Sequence, residues 1–369
     1  MKKVLIISNI PSPYRTALFS YLQKSQKKDR FQVLYTSQRE ADRVWSTQEG
    51  LEDTFFQDAR VLSVKGGELG GTATRFIHIP KGLGSTLRRL APDIVIGSEY
   101  NLSAVQAFLW AKSRHIPYIN LTDGTLRSET YIGKIQRLTR KLIISGSDAF
   151  LASSTKAKEK LLAWGAAENK IFISYLTVPA APYLNLERQA EPGRILFVGR
   201  ISHEKGLDLL VRALAKTKEP CRLRVVGNDV GGEKAKVEAL VRELGLTDRV
   251  EFLGYREGEA LLAEYRKCAL LAVPSRSDCF GLVMVEAACA GVPITASIYA
   301  DGAYDIITPG ENGLMADPED AEAFSTMLDK MLKTPMDAGK IRSALGEKFS
   351  FQNAARGYLQ AVEMAEGEK

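Results

Sequence analysis

The sequence predicts an α/β protein built on two doubly wound parallel sheets, and three observations carry that expectation. Short apolar runs alternate with longer amphipathic ones, the pattern of strands buried on both faces with helices between them. The rhythm breaks once, in the Pro-containing, pattern-poor stretch from Val178 to Gly193, and then restarts. The chain of 369 residues is long enough for two domains of ordinary size.

In chain order, Val4–Ser8, Phe31–Tyr35, Ile94–Gly97, Tyr118–Leu121, Phe150–Ala152 and Ile171–Ser174 read as the strands of the first sheet. Ile195–Val198, Leu223–Val226, Val250–Leu253, Leu270–Val273 and Pro293–Ala296 read as those of the second. The expected domains are residues 1–180, a linker at 181–192, a second sheet domain at 193–349, and a terminal segment at 350–369. From about Phe351 to Glu366 the pattern is an amphipathic helix whose apolar face, Ala355, Tyr358, Leu359 and Val362, needs a surface to cover. The Gly-rich segment Lys65–Thr72 reads as a mobile loop, because it lacks the Gly-Lys-Ser/Thr ending of a phosphate-binding loop. Two such sheets in sequence are expected to leave a cleft between their strand C-terminal ends, where open α/β sheets bind ligands.

Composition narrows the function classes. With 45% hydrophobic and 25% charged residues the chain is expected to be folded and water-soluble. No apolar run approaches the roughly 18 residues of a membrane span, and the apolar stretch after Met1 is too short for a signal peptide, so the expected location is cytoplasmic. Cys221, Cys268, Cys279 and Cys289 lack C-x-x-C spacing and read as small buried side chains. His78, His115 and His203 are too scattered for a metal set, and no Asp-x-Asp motif is present, so no metal and no cofactor is expected.

Charge is uneven. Residues 1–190 carry 27 Lys+Arg against 16 Asp+Glu, a net +11, so the remainder of the +6 chain is at −5. A basic half fits an anionic membrane surface or lipid phosphate, peripheral on the inner face of the membrane; it fits a solvated basic face equally. The stretch Tyr131–Leu142 shares both readings, as an interfacial amphipathic helix or a core helix with a basic outer face. No nucleic acid partner is expected, since stacking aromatics and known binding motifs are missing. A nicotinamide oxidoreductase would need G-x-G-x-x-G after the first strand, where the chain has Asn9-Ile10-Pro11-Ser12-Pro13.

Two constellations carry chemistry. Val198-Gly199-Arg200 through Lys205-Gly206 follows a strand and opens a helix; Gly199 lets the backbone approach a ligand, and Arg200 and Lys205 can both reach a phosphate. A strand-end turn with a solvated cation is the rival reading. The second runs from Pro274 to Ala288. Asp278 lies in the loop, and the amides of Phe280, Gly281 and Leu282 open a helix toward any bound anion. Glu286, about one turn further on among small apolar residues, needs hydrogen-bond donors, which ribose hydroxyls would supply. Read without a ligand, Glu286 is a helix-dipole partner and Asp278 a cap.

Across nearly its whole length the chain resembles glycosyltransferase family 4, the retaining enzymes with the two-domain GT-B fold. The motifs are Gly199-Arg200 with Lys205-Gly206, Pro274-Ser275 through Phe280-Gly281-Leu282, Glu286-Ala287, Gly291-Val292-Pro293, and Gly310-Glu311-Asn312-Gly313-Leu314. The resemblance implies that Arg200 and Lys205 hold a nucleotide-sugar diphosphate, that Glu286 binds the ribose, and that Asp278 and the amides at Phe280–Leu282 meet the sugar and phosphate. It implies that Tyr255 and Arg256 lie where the base, most often uracil, is seated, and that the last helix crosses back onto the N-terminal domain. It also implies a hexosyltransferase without metal that serves a glycan or lipid-linked acceptor in polysaccharide or glycoconjugate assembly. The alternatives are a sugar-nucleotide epimerase or phosphorylase on the same scaffold, or a non-catalytic sugar-nucleotide binding protein.

The chain departs from the family in three places. Asp278 stands where Glu is usual, which bears on the identity of the donor sugar. Pro11–Arg15 replaces a Gly-Gly turn, and Leu121–Thr125 replaces a segment that often holds His. Tyr14, Arg15 and Asp123 are therefore the candidate acceptor contacts, with Asp123 also readable as the cap of a turn at Gly124.

Overall fold

The computed structural model describes residues 1–37, 53–64 and 75–367. The Gly-rich segment Lys65–Thr72 lies outside the described residues. Two compact units divide the rest: one runs to Thr177 and resumes at Phe351, the other is Val178–Ser350.

In the first unit the strands are β1 (Lys2–Ser8), β2 (Asp29–Tyr35), β3 (Thr54–Phe56), β4 (Ala59–Val64), β5 (Arg75–Pro80), β6 (Ile94–Ser98), β7 (Tyr118–Thr122), β8 (Ala149–Ala152) and β9 (Ile171–Ile173). Seven of them form one sheet in the order β3-β2-β1-β6-β7-β8-β9, every neighbour parallel. β4 and β5 form a separate antiparallel pair. The helices are α1 (Pro13–Ser25), α2 (Leu83–Leu90), α3 (Leu102–Lys112), α4 (Lys134–Gly146) and α5 (Thr155–Ala163). Val4 to Ile7 are all buried, as a central strand covered on both faces requires.

The second unit contains β10 (Arg194–Val198), β11 (Arg222–Val226), β12 (Val250–Gly254), β13 (Leu270–Val273), β14 (Ile294–Ser297) and β15 (Gly313–Ala316). Its sheet is parallel in the order β12-β11-β10-β13-β14-β15. Its helices are α6 (Ala181–Leu184), α7 (Leu207–Leu214), α8 (Glu233–Glu243), α9 (Gly258–Lys267), α10 (Leu282–Cys289), α11 (Ala303–Ile306), α12 (Ala321–Lys333) and α13 (Ala338–Gly346). One core fills the space between this sheet and α7, α8 and α12 through Leu210, Leu214, Val237 and Phe324.

The last helix, α14 (Phe351–Gly367), belongs to the first unit. Ala355, Tyr358 and Val362 are buried there with Val4, Ile6 and Phe19, while Leu359 is only half-buried. Gly357 lets the helix approach closely: a Cβ would lie 2.5 Å from the Ile173 carbonyl oxygen. Covering that apolar stripe with the sheet is the physical reason the helix forms where it does.

Differences from the sequence reading are local. β3, β4, β5 and β15 were not expected: β3 and β15 have only three and four residues, too few to carry periodicity, and β4 and β5, six residues each, stand apart from both parallel sheets as their own pair. The stretch read as linker holds the short helix α6. Of the four cysteines, Cys279 is half-exposed and not buried, because it lies in the loop before α10.

Candidate active site

Chain order in each sheet fixes where a site belongs. β10 is central: the chain leaves it for β11 and β12 on one side, then returns to β13 on the other. The loops after β10 and β13 therefore diverge at a topological switch point, where open α/β sheets leave a crevice at their strand C-terminal ends. β10 and β13 are directly paired, Ile195 opposite Leu270, so the two constellations recognised in sequence are brought side by side.

Their charged groups meet. The Lys205 ammonium is ion-paired with the Asp278 carboxylate, both largely buried. The other Asp278 oxygen accepts from the Phe280 amide at 3.3 Å. The Phe280 amide, expected at a ligand, thus has Asp278 within reach. Asp278 itself is anchored at both backbone ends, donating to the Tyr299 carbonyl at 3.2 Å and accepting from the Asp301 amide at 2.8 Å. Gly281 caps α10 with φ +77°, and no side chain caps that helix among the described residues. The Gly281 and Leu282 backbone at its N-terminus is thus placed at the positive end of the helix dipole.

The loops are stitched together by a residue to which the sequence reading gave no role. Arg276, after β13, donates to both oxygens of Asp208 in the first turn of α7, at 2.8 and 2.7 Å, and to the His203 carbonyl at 2.9 Å. Its amide donates to the Glu204 carbonyl at 2.8 Å. Burial alone would raise the Asp208 carboxyl, but the bidentate Arg276 contact lowers it below its ordinary range. Gly206 completes the joint with φ +66°; a Cβ there would lie 2.2 Å from the Pro274 carbonyl oxygen. Arg200 is half-buried at the end of β10, beside Gly199.

Glu286 lies on α10 and is half-buried. Tyr265 of α9 donates to its Oε2 at 2.7 Å, and the Tyr183 hydroxyl of α6 also bonds it. Burial pushes the Glu286 carboxyl above its ordinary value, with the two hydroxyls opposing. The two tyrosine rings meet edge to face, their centroids 5.6 Å apart. Part of the donor demand expected of ribose is therefore met by protein. Tyr183 sits in the presumed linker, and nothing in its sequence neighbourhood marks it.

Tyr255 follows β12 and is exposed, its hydroxyl donating to Glu257 at 2.8 Å. Partial burial, that bond and the charges of Glu257 and Glu286 push its phenol up to about 12. Tyr255 thus sits within electrostatic reach of Glu286. Arg256 turns to Glu264 at 2.7 Å, a buried carboxylate that it shares with Arg194 and Arg224. That cluster borders a cavity of about 790 Å³ at the opposite, N-terminal edge of β10–β12, also lined by Arg222 and Arg249. Arg194, Arg224 and Arg249 are engaged by Glu191, Glu251, Glu264 and Thr217.

The first unit repeats the geometry. β1 is central, with β2 on one side and β6 on the other, and a pocket of about 290 Å³ opens at the ends of β1, β6 and β7. Tyr14, Arg15, Glu99 and Asp123 line it. Burial alone would depress the Arg15 guanidinium, but its ion pair with Asp123 raises it net; Arg15 also donates to Tyr358 of α14 at 3.3 Å. Asp123 is therefore held by an arginine. Glu99 was missed. It has a left-handed backbone, φ +62°, and accepts from the Asp123 amide at 2.6 Å and the Thr122 hydroxyl at 3.0 Å. An acid directly after a buried strand was the available signal. No group of His, Cys, Asp and Glu among the described residues could hold a metal ion.

Known proteins match this architecture. Residues 185–349 match the model of the family described as glycosyl transferases group 1. A D-inositol 3-phosphate glycosyltransferase of Xylanimonas cellulosilytica is 30% identical over 304 residues, covering 73% of this chain and 72% of the relative. One of the same description from Rhodococcus jostii is 29% identical over 268 residues, with 67% of this chain and 58% of the relative covered. The chain thus spans little more than half the length of that relative. Among solved structures, Anabaena Alr3699/HepE in complex with UDP superposes with a TM-score of 0.75 at 17% identity, over 98% of this chain and 100% of that one. The lipopolysaccharide outer core galactosyltransferase WaaB gives 0.73 at 20% identity, over 98% and 99%. At such identities the likeness concerns the fold, and the two Rossmann-like units are those of GT-B proteins. With the family model over residues 185–349 and a Xylanimonas relative 30% identical across 73% of the chain, the chain belongs to the group 1 glycosyltransferases.

Proposed function

We propose that the chain is a retaining hexosyltransferase that moves a sugar from a UDP-sugar to a glycan or lipid-linked acceptor in polysaccharide or glycoconjugate assembly. The observation that carries this reading is the Lys205–Asp278 ion pair at the switch point between β10 and β13, inside the segment that matches the family. Before donor binds, Asp278 holds the ammonium in place, so little reorganisation is needed when a diphosphate arrives. Arg200 and the N-terminus of α10 add positive potential on the same strand ends. Uridine is taken as the base because the Anabaena relative was solved with UDP. Glu286 accepts from the ribose hydroxyls, with Gly199, Tyr255 and Arg256 completing the donor side.

In the proposed step the bond from the sugar's anomeric carbon to the β-phosphate oxygen breaks, and its electron pair stays on the departing UDP. The acceptor oxygen bonds the same face of that carbon, and its proton passes to the β-phosphate oxygen. Lys205 and Arg200 stabilise the leaving charge, the work a divalent cation performs in other transferases, so the reading requires no metal and no cofactor. Asp278 fixes the donor sugar. Tyr14, Arg15 and Asp123 contact the acceptor, and the enzyme works in the cytoplasm.

Purified chain incubated with radiolabelled UDP-sugars and a panel of glycan and lipid-linked acceptors tests the whole reading. The expected product carries the label in the donor's anomeric configuration. Label recovered only as an altered nucleotide sugar would make the chain an epimerase, and donor binding without turnover on any acceptor would make it a binding protein.

A further inference from the structure

Helix α4 presents an unusual outer face. Tyr131, just before it, is 72% exposed, and Ile135, Leu138 and Leu142 are 79%, 66% and 39% exposed. The spacing of three and four residues sets Ile135, Leu138 and Leu142 in one row along the helix. Single exposed apolar side chains need no explanation, but three in register with Tyr131 exposed just before them do. Lys134, Arg137 and Lys141, also exposed, form a second row beside the first. No acidic residue occurs between Glu129 and Asp148.

The inner side is accounted for. Ile143 and Ile144 enter the core, and Arg140 is fixed by Glu129 at 2.8 Å with its guanidinium 4.8 Å from the Tyr100 ring centroid. The outer rows do no such work: Lys134 to Leu138 are exposed all round. Neighbouring α3, which packs against α4, also exposes Leu102 and Leu109.

We propose that α4 is a membrane-docking helix that lies flat in an anionic bilayer surface. Tyr131, Ile135, Leu138 and Leu142 enter the acyl boundary, while Lys134, Arg137 and Lys141 reach lipid phosphates. Charge chooses this occupant. A second copy of the chain, related by a two-fold axis, would bring one basic row against another with no acid on the helix to relieve it. An anionic lipid surface meets both rows at once. The inference gives physical form to a lipid-linked acceptor in the proposed function, but it stands on the helix alone.

The test is sedimentation of the full chain with vesicles of phosphatidylcholine alone, and with about one-third phosphatidylglycerol. Binding is expected with the anionic vesicles only and should weaken as salt is raised. Each cation changed to Ser should lower partitioning about fivefold, and Lys134→Ser, Arg137→Ser and Lys141→Ser together about a hundredfold. Ile135→Ser with Leu138→Ser should cost tenfold or more at fixed charge. Melting temperature should stay unchanged in both variants, since none of these side chains is buried. Equal binding to both vesicle types, binding untouched by either variant, or a dimer in solution that Ile135→Ser dissolves would each overturn the proposal. No sugar enters the assay, so its failure leaves the transferase reading intact, and a transferase failure leaves this one intact.

Discussion

Lys205 and Asp278 lie 73 positions apart and form one ion pair, so their roles can be separated by substitution. Lys205→Ala should lower kcat about 10²-fold or more, the usual cost of losing one transition-state donor; single-turnover kinetics with saturating donor checks it, and a normal rate would remove Lys205 from the leaving-group side. Glu286 gives a pH-dependent counterpart. Its carboxyl is raised above 4.5 by burial and held down by Tyr265 and Tyr183. In Tyr265→Phe one restraining hydroxyl is lost and the carboxyl rises further. In the proposed donor site ionised Glu286 is the form that accepts ribose hydroxyls, so UDP affinity should rise with pH through its titration, and in the variant that rise should move to higher pH. Calorimetric titration of UDP across pH 4–8 reads the shift, and superimposable profiles would separate Glu286 from the ribose. The sign for stability is the reverse: the favourable contribution of the neutral carboxyl is complete below 4.5 and lost as pH climbs through the raised value. Sequence named both acids and both cations but not Tyr183, Tyr265 or Glu99. The first group sits in tight motifs after strands, whereas a partner 21 residues away on another helix leaves no spacing signal.

Elements impose a second order of constraint, because the strand-end loops must interlock before any side chain can act. Gly206 stands at the joint of α7 with the loop after β13, left-handed and against the Pro274 carbonyl. Gly206→Ala should destabilise the protein by at least about 1–2 kcal/mol from the left-handed backbone alone, with the clash adding to it. Urea denaturation reports the loss, and an unchanged midpoint would show that the joint yields freely. The long buried strands, α10 and α14 were legible from periodicity and Gly placement. The short β3, β15 and α6 were not, since in three or four residues neither a period of two nor one of 3.6 can establish itself, and β4 and β5 form a pair outside the parallel rhythm. Arg276 illustrates the same limit at the level of loops: its bidentate hold on Asp208 becomes visible only when β10 and β13 are adjacent.

At the scale of the whole molecule, two α/β units each carry a pocket or charged joint at their switch point, and only the second holds the family-matched segment. UDP should therefore raise the melting temperature. At about a hundredfold excess over Kd the stabilisation is about 2.7 kcal/mol, a rise of several degrees for a protein of this size. A thermal-shift panel of UDP, GDP, ADP and NAD decides the base, and a response to NAD alone would point away from the transferases. The net +11 of residues 1–190 fits an anionic partner and a solvated basic face equally, and names no surface. The structure adds that the outer rows of α4 are exposed, which the sequence left open because hydrophobic side chains spaced for a helix read alike whether they face a core or water. By itself the sequence determined the class of fold, the two sheets, the last helix and the residue types in the loops after β10 and β13. These follow from local periodicity and from motifs of fewer than a dozen residues. The tertiary structure alone decided which charges neutralise one another: that Lys205 meets Asp278, that two tyrosines reach Glu286, and that Arg15 holds Asp123. Ion pairs and hydrogen bonds depend on distances of a few ångströms across sheet neighbours, and strand order, not chain order, sets those distances.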